Sequence, residues 1–430
     1  MVEADVAVCD GKVVAVGPAL DLAAENEIDA SGLCVAPGVV DAHVHFNDPG
    51  RADWEGFASG SRAVAAGGGT CFVDMPLNAH PPTVDARAFR AKLAAARGSS
   101  LTDFAFWGGL VPGNLRELRE LAELGVVGFK AFMCPSGIDD FQYADDATLR
   151  KGMARAAELG LPIAVHAEDA ELTQRLAATA TGRGWRDFVA SRPVEAELDA
   201  IGRAIEMARA AGCSLHVVHV SSGRGVRLVA EAKSRGVDVT CETCPHYLLL
   251  SEDDLDGLGA VGKCAPPLRP ASECNELWSE LAAGSIDLLA SDHSPAPAAL
   301  KTGEDFSAAW GGISGCQSLL PALAPEARRR GVELSRVIAS VTRAPAERLR
   351  LPGKGGLEPG YDADLSIVDL DVAEPLRANA LQYRHPHSPY VDRVPHARVL
   401  RTVLRGETIW CEGRPVGART GRLVKPTAVR

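Results

Sequence analysis

The sequence predicts an α/β fold, a TIM-type (β/α)8 barrel joined to a small β-sandwich domain that both chain termini build. Three observations predict it. Eight short apolar runs alternate with segments of helical spacing across the middle of the chain. Both ends read instead as short strands broken by glycine turns. Polar, chemistry-bearing residues stand at the C-terminal ends of several apolar runs, where a barrel collects its functional groups. The expected division is a composite sandwich over 1–37 and 350–430 and a barrel over 38–349.

The opening segment runs from Ala4 to Cys9, turns at Asp10-Gly11 and returns through Lys12 to Val16. Asp-Gly between two such runs is a hairpin signal, because both central positions of a tight hairpin turn take positive φ. The barrel strands are expected at Val39–His45, Thr70–Met75, Asp103–Leu110, Val126–Phe132, Pro162–Ala167, Ser214–Val220, Val237–Glu242 and Asp287–Ser291. Between them, Ala86–Ala96, Leu115–Leu124, Asp146–Leu159 and Glu195–Ala211 have the composition and spacing of amphipathic helices. No G-x-G-x-x-G turn follows the first strand, which argues against a doubly wound sheet. Gly67-Gly68-Gly69 precedes a strand instead of opening a helix, so it reads as a helix stop and tight turn and not as a phosphate cradle. At the far end, Ala363–Leu370, Val399–Arg405 and Thr408–Trp410 are the expected strands.

At 430 residues the chain exceeds the size at which one core stops growing, so a large domain with a smaller companion is the expectation. A net charge of −11 and the lack of any Lys/Arg block argue against nucleic acid as a partner. No apolar run reaches the ~18–20 residues that span a bilayer, and the first residues lack the pattern of a signal peptide, so a cytoplasmic protein off the membrane is expected. The eleven cysteines are an odd number and most sit in apolar segments, which points to reduced, buried thiols. Cys241-Glu242-Thr243-Cys244 has metal-site spacing, but no second pair completes a structural site, so neither a metal nor a redox role is assigned to it.

Six candidate metal ligands lie at strand ends: His43, His45, Lys130, His166, His219 and Asp292. Two residues apart on a strand, His43 and His45 point to one face, roughly 7 Å apart at Cα, so both can reach one ion. Imidazole and carboxylate donors suit zinc and similar divalent ions. Lys130 sits in the apolar run Gly128-Phe129-Lys130-Ala131-Phe132. Burial disfavours the ammonium and leaves a nucleophilic amine. Such an amine can take up CO2 as a carbamate, an anionic bidentate group able to bridge two ions. The expected chemistry is metal-assisted hydrolysis of a C–N bond by a bridging hydroxide, with Asp292 as the base and then the acid.

In this order, His-x-His, a lysine, two further histidines and an aspartate, the chain resembles the cyclic amidohydrolases, a family that includes dihydroorotases and hydantoinases. Further segments carry the likeness: Pro49-Gly50-Arg51 with Trp54-Glu55-Gly56, Met75–Asn78, Cys241–Tyr247, Lys263–Pro267, Ser291–Pro295, Ala309–Ile313 and the stretch Gly355–Leu365. Within the family it looks most like the allantoinase branch, which opens the hydantoin ring of allantoin to give allantoate in purine and ureide breakdown. The resemblance implies two divalent ions, zinc first with cobalt, manganese or iron as alternatives, and a carbamate on Lys130. It implies a small cyclic ureide as substrate, with Asn78, Ser294 and the main chain around Cys244 on the substrate side, and a homotetramer. Dihydroorotases carry an arginine where Asn47 stands, and hydantoinases a tyrosine where Phe132–Pro135 lies; Tyr143 is too distant to replace it. A hydantoinase or dihydropyrimidinase is the rival enzyme, and a non-catalytic scaffold the rival of another class. The likeness also implies a strand ahead of Glu3, so the sheet domain is expected to lack one edge.

The remaining histidines have ordinary expectations. His216 should face away from His219, three residues on along a strand, and His293 away from Asp292. His385 and His387 are assigned to structure or subunit contacts, and His246 is a candidate for the pocket wall.

Overall fold

The computed structural model describes residues 2–302, 305–417 and 420–428. The extreme positions of the expected terminal domain, 1 and 429–430, lie outside the described residues, as do 303–304 and 418–419.

All eight expected barrel strands form, most of them shorter than the expected run: Val39–Val44, Gly69–Asp74, a bent strand comprising Asp103–Phe106 and Gly108–Gly109, Phe129–Phe132, Ile163–His166, Leu215–Val217, Val239–Thr243 and Leu288–Leu289. They are parallel and lie in chain order. The ring closes where Val44 bridges His293 and the His45 N–H donates to the His293 carbonyl at 2.7 Å. The first two strands are buried at every position, as a barrel wrapped in helices requires. The structure is therefore a TIM-type barrel, and its strand ends open onto one mouth.

The helices follow local chemistry. Ala86–Ala96 starts at Asp85, whose side chain accepts from the Ala88 N–H, and Asp146–Leu159 starts in the same way at Asp145. Asp146–Leu159 and Val194–Ala211 stop at Gly160 and Gly212, both left-handed. Phe57–Ala66 stops at Gly67, and Gly68 then takes φ +84° on the way into the second strand. A Cβ at Gly68 would lie 2.2 Å from the Ser366 Oγ, so this turn requires glycine twice over. The glycine run is the helix stop that its position suggested.

A five-stranded sheet stands beside the barrel. Its strands are Cys34–Pro37, Leu365–Pro375, Pro395–Leu404, Glu407–Cys411 and Arg414–Pro415, so both ends of the chain contribute. The hairpin Asp5–Cys9/Lys12–Gly17 turns at Asp10 and Gly11, both at positive φ. It is a separate two-stranded sheet, tied on by Val13 N–H to the Tyr361 carbonyl and Gly360 N–H to the Val13 carbonyl.

At the barrel end opposite the mouth, the Lys354 ammonium donates to Asp103 at 2.6 Å and Asp364 at 2.7 Å and lies 2.9 Å from Asp362. Asp103 begins the third barrel strand, whereas the other two precede the long sheet strand, so one buried cation locks barrel to sheet. No described helix is long and apolar enough to cross a membrane.

Candidate active site

The barrel brings the six candidate ligands to its mouth, all of them buried. His43 and His45 project from the end of the first strand, and Asp292 follows the eighth. The Asp292 Oδ1 lies 3.2 Å from the His43 Nε2 and 3.5 Å from the His45 Nε2. Ligand atoms of these three residues all lie within 4.8 Å of one another. Across the mouth, the His166 Nδ1 faces the His219 Nε2 at 3.0 Å, and the rings of His43 and His219 are 5.6 Å apart. Lys130 lies over Phe132, whose ring stacks on His166 at 4.5 Å.

His219 and Asp292 have φ of +41° and +45°, a region that non-glycine residues avoid. Such strain concentrates where side-chain aim matters more than backbone comfort. His216, expected to face away from His219, is buried with its Nε2 3.1 Å from Oε2 of Glu242.

Glu242 is the principal residue that sequence reasoning missed. It is 1% exposed, and its Oε1 is 2.5 Å from the His43 Nδ1. Burial alone would raise its carboxyl, but His43 and His216 hold it down at about 2. The signal was present: a carboxylate inside the apolar run Val239–Thr243 demands a buried partner. The cysteines on either side of it, Cys241 and Cys244, take no part in the site's hydrogen bonds to imidazole. Both of those are free and buried, like most of the eleven. Glu168 plays the same part for His166, at 2.7 Å from Nε2, and Arg192 pairs with it. Despite burial, Arg192 and His166 keep Glu168 at about 2. Cys134 also stands beside His166 and Glu168, but burial pushes its thiol up to about 12.

Burial pushes the Lys130 ammonium down to about 8, against the pull of Asp292 and Glu242. Its Nζ has no hydrogen-bond partner among the described residues, and neither do the Nδ1 atoms of His45 and His219. Burial would likewise raise Asp292, yet His43, His45 and His219 hold it far below the carboxylate range. Four buried imidazoles, an ionised carboxylate and a buried amine without an acceptor among the described residues, all around one space, are the donor set that divalent cations take. The residues fit such ions.

Asn78 and Ser294 meet on the same side, with the Asn78 amide donating to the Ser294 Oγ at 3.3 Å. Asn78 is left-handed at φ +68°, and its carbonyl accepts from Arg51. Cys244 is buried at the seventh strand end, and its carbonyl accepts from the Tyr247 N–H. Asn47, where dihydroorotases have arginine, donates to the Pro295 carbonyl at 3.2 Å. His293 turns away from Asp292, toward Tyr383 and the Gly315 N–H. His385 and His387 bond main-chain carbonyls of Asp53 and Ala296. His246 is fully buried with neither ring nitrogen partnered among the described residues, and burial takes it down to about 4.

Comparison with known proteins agrees with this geometry. An allantoinase from Rubrobacter xylanophilus is 57% identical over 98% of this chain and 94% of its own length. One from Solibacter usitatus is 52% identical over 100% and 94%. Among solved structures, the L-hydantoinase (dihydropyrimidinase) of Arthrobacter aurescens superposes with a TM-score of 0.95 at 36% identity, covering 99% of this chain and 96% of that one. The dihydropyrimidinase of Brevibacillus agri gives 0.91 at 31%, over 100% and 96%. The amidohydrolase family model matches residues 34–409, and the chain belongs to that family.

Proposed function

We propose that the chain acts as an allantoinase, hydrolysing the hydantoin-ring amide of allantoin to give allantoate. The observation that carries the chemistry is the convergence of four imidazoles and Asp292 around Lys130, a buried amine with no partner among the described residues. The choice among cyclic amidases rests on the relatives named allantoinase, which are more alike in sequence than the hydantoinases that share the fold.

His43, His45 and Asp292 would hold one divalent cation, zinc being the first choice, and His166 with His219 a second. Lys130, as its carbamate, would serve both. When bound, such ions supply an acidified water and a polarised substrate carbonyl. The chain's own residues do the rest. Asp292 is held ionised by its histidine neighbours, so its oxygens carry no hydrogen, and it would take up the proton and return it to the departing ring nitrogen. Asn78 and Ser294 offer an amide and a hydroxyl to the polar edge of the ureide. Phe132 and Phe141 are packed edge to face at 6.0 Å, presenting an apolar wall where a hydantoinase would place its tyrosine. Asn47 offers no charge to a substrate carboxylate, which accords with a neutral ring.

We also propose that the metallohydrolase barrel spans 38–349, with 1–37 and 350–430 as the composite sandwich, that the protein works in the cytoplasm, and that it assembles as a homotetramer. Initial rates on allantoin, hydantoin and dihydrouracil with the purified protein test the function. Allantoin should be turned over with the highest kcat/KM. Faster turnover of hydantoin or dihydrouracil would assign the chain to the hydantoinase side, and no turnover with two ions bound would leave the scaffold reading.

A further inference from the structure

We infer that Trp310 is a specificity-determining residue, whose buried indole N–H donates to the carbonyl of the ureido side chain that allantoin carries outside its ring. The inference deepens the allantoinase reading and rests on it.

An indole N–H only donates, and a buried one finds an acceptor as a rule. Trp107, Trp185 and Trp278 follow that rule, donating to the Ala42 carbonyl at 3.1 Å, to Asp256 at 2.9 Å and to the Leu248 carbonyl at 2.8 Å. The Trp310 Nε1 is buried and has no acceptor among the described residues. A donor left in that state costs free energy unless something outside the chain meets it.

Its position says what meets it. The Trp310 ring stands edge-on to that of Trp54 at 4.7 Å. Arg51 lies over the Trp54 ring at 5.7 Å and donates to the Asn78 carbonyl at 2.8 Å, so the aromatic pair adjoins the substrate-side amide. From the other direction, the Ser294 N–H donates to the Ile313 carbonyl at 2.8 Å, and a Cβ on Gly312, at φ +155°, would lie 2.4 Å from the Ser294 carbonyl oxygen. Trp310 therefore precedes by two residues a glycine pressed onto Ser294. Trp54, Asn78, Ser294 and Trp310 all follow C-terminal ends of barrel strands, on the face where the barrel collects its functional groups.

The segment that carries Trp310 is held firmly. The Lys263 ammonium donates to the carbonyls of Phe306, Ser307 and Ala309 at 2.7, 2.9 and 2.7 Å, and Lys301 donates to the Gly312 carbonyl. The Trp310 N–H of the main chain donates to the Leu300 carbonyl at 2.8 Å. Two buried ammonium groups thus fix the backbone on both sides of the indole, and a fixed donor is what orienting a flexible side chain of the substrate requires. Hydantoin has the ring without the ureido group, so it leaves the donor unmet where allantoin satisfies it.

Two variants test this. Trp310→Phe keeps a ring against Trp54 and removes the N–H, whereas benzothienylalanine incorporated at position 310 keeps the whole indole shape and removes only the donor. With zinc-loaded enzyme, the ratio of kcat/KM for allantoin to that for hydantoin should fall by about 3- to 10-fold in both, the scale of one neutral hydrogen bond, with the change carried by KM. A wild-type ratio in either folded variant overturns the inference, because a purely structural fault lowers both substrates alike. A wild type that turns over hydantoin faster than allantoin overturns the allantoinase reading as well, so the wild type alone tells the two failures apart.

Discussion

The Lys130 Nζ lies 4.9 Å over the ring of Phe132, and no group among the described residues accepts a hydrogen bond from it. A buried ammonium without an acceptor is costly, and a carbamate on the same nitrogen would replace it by an anion amid cation ligands. Lys130→Ala should keep the barrel's circular dichroism, lose most bound zinc and lower kcat/KM by at least about 10²-fold, the scale of losing one charge-stabilising group. Labelled CO2 should give a carbamate carbon signal in the wild type alone. Wild-type zinc content and activity in the variant would remove Lys130 from the mechanism.

Asp292 is the acid–base candidate because three imidazoles keep it ionised while its φ of +45° aims it at His43 and His45. Asp292→Asn preserves shape and removes the proton acceptor. Turnover should fall by about 10²- to 10⁴-fold with KM for allantoin little changed. Steady-state kinetics at saturating zinc decide it; a loss confined to KM would make Asp292 a binding group only.

The barrel was legible because parallel strands buried on both faces leave continuous apolar runs, and helix limits leave marks such as Asp85 and Asp145 at one end and Gly160 and Gly212 at the other. His43, His45 and Asp292 were legible because a polar group ending such a run contradicts its own surroundings. Glu242 and Glu168 were harder to see. Glu242 meets His216 and His43, 26 and 199 residues distant, and even for Glu168, only 2 residues from His166, nothing in the order of the chain states which imidazole a carboxylate will meet. The hairpin Asp5–Cys9/Lys12–Gly17 was read correctly, whereas its place in a sheet of its own is decided by contacts to Gly360 and Tyr361 far along the chain.

Acid should destabilise the fold in two windows. Burial lowers His246 and His396 to about 4, so an unfolded chain takes up protons at ~6.5 that the folded one refuses. Their contribution is complete above pH 6.5, is lost as pH falls from 6.5 to 4, and amounts to at most about 3 kcal/mol each. Glu168 and Glu242, held at about 2, lose theirs between about 4.5 and 2. Denaturant melts of zinc-free protein should therefore weaken first in the upper window. His396→Gln should make that first loss smaller, and an unchanged profile would show that His396 charges freely in the fold.

Lys354 offers a test of what joins barrel to sheet. Its ammonium is the shared partner of Asp103, Asp362 and Asp364, and those carboxylates hold it charged despite burial. Lys354→Met keeps much of the side-chain volume but leaves three buried acids facing one another, with Arg405 still on Asp103 and the more exposed Lys12 and Arg422 on Asp362. Breaking a buried ion cluster from one side costs about 3–5 kcal/mol, so the melting temperature should drop sharply while the mouth, at the other barrel end, keeps its zinc sites. Because the penalty is repulsion among ionised carboxylates, lowering the pH toward 4 should narrow the gap between variant and wild type. A gap that stays constant with pH would mean that the loss is one of packing, and that the carboxylates are neutral partners in the fold and not a charged lock.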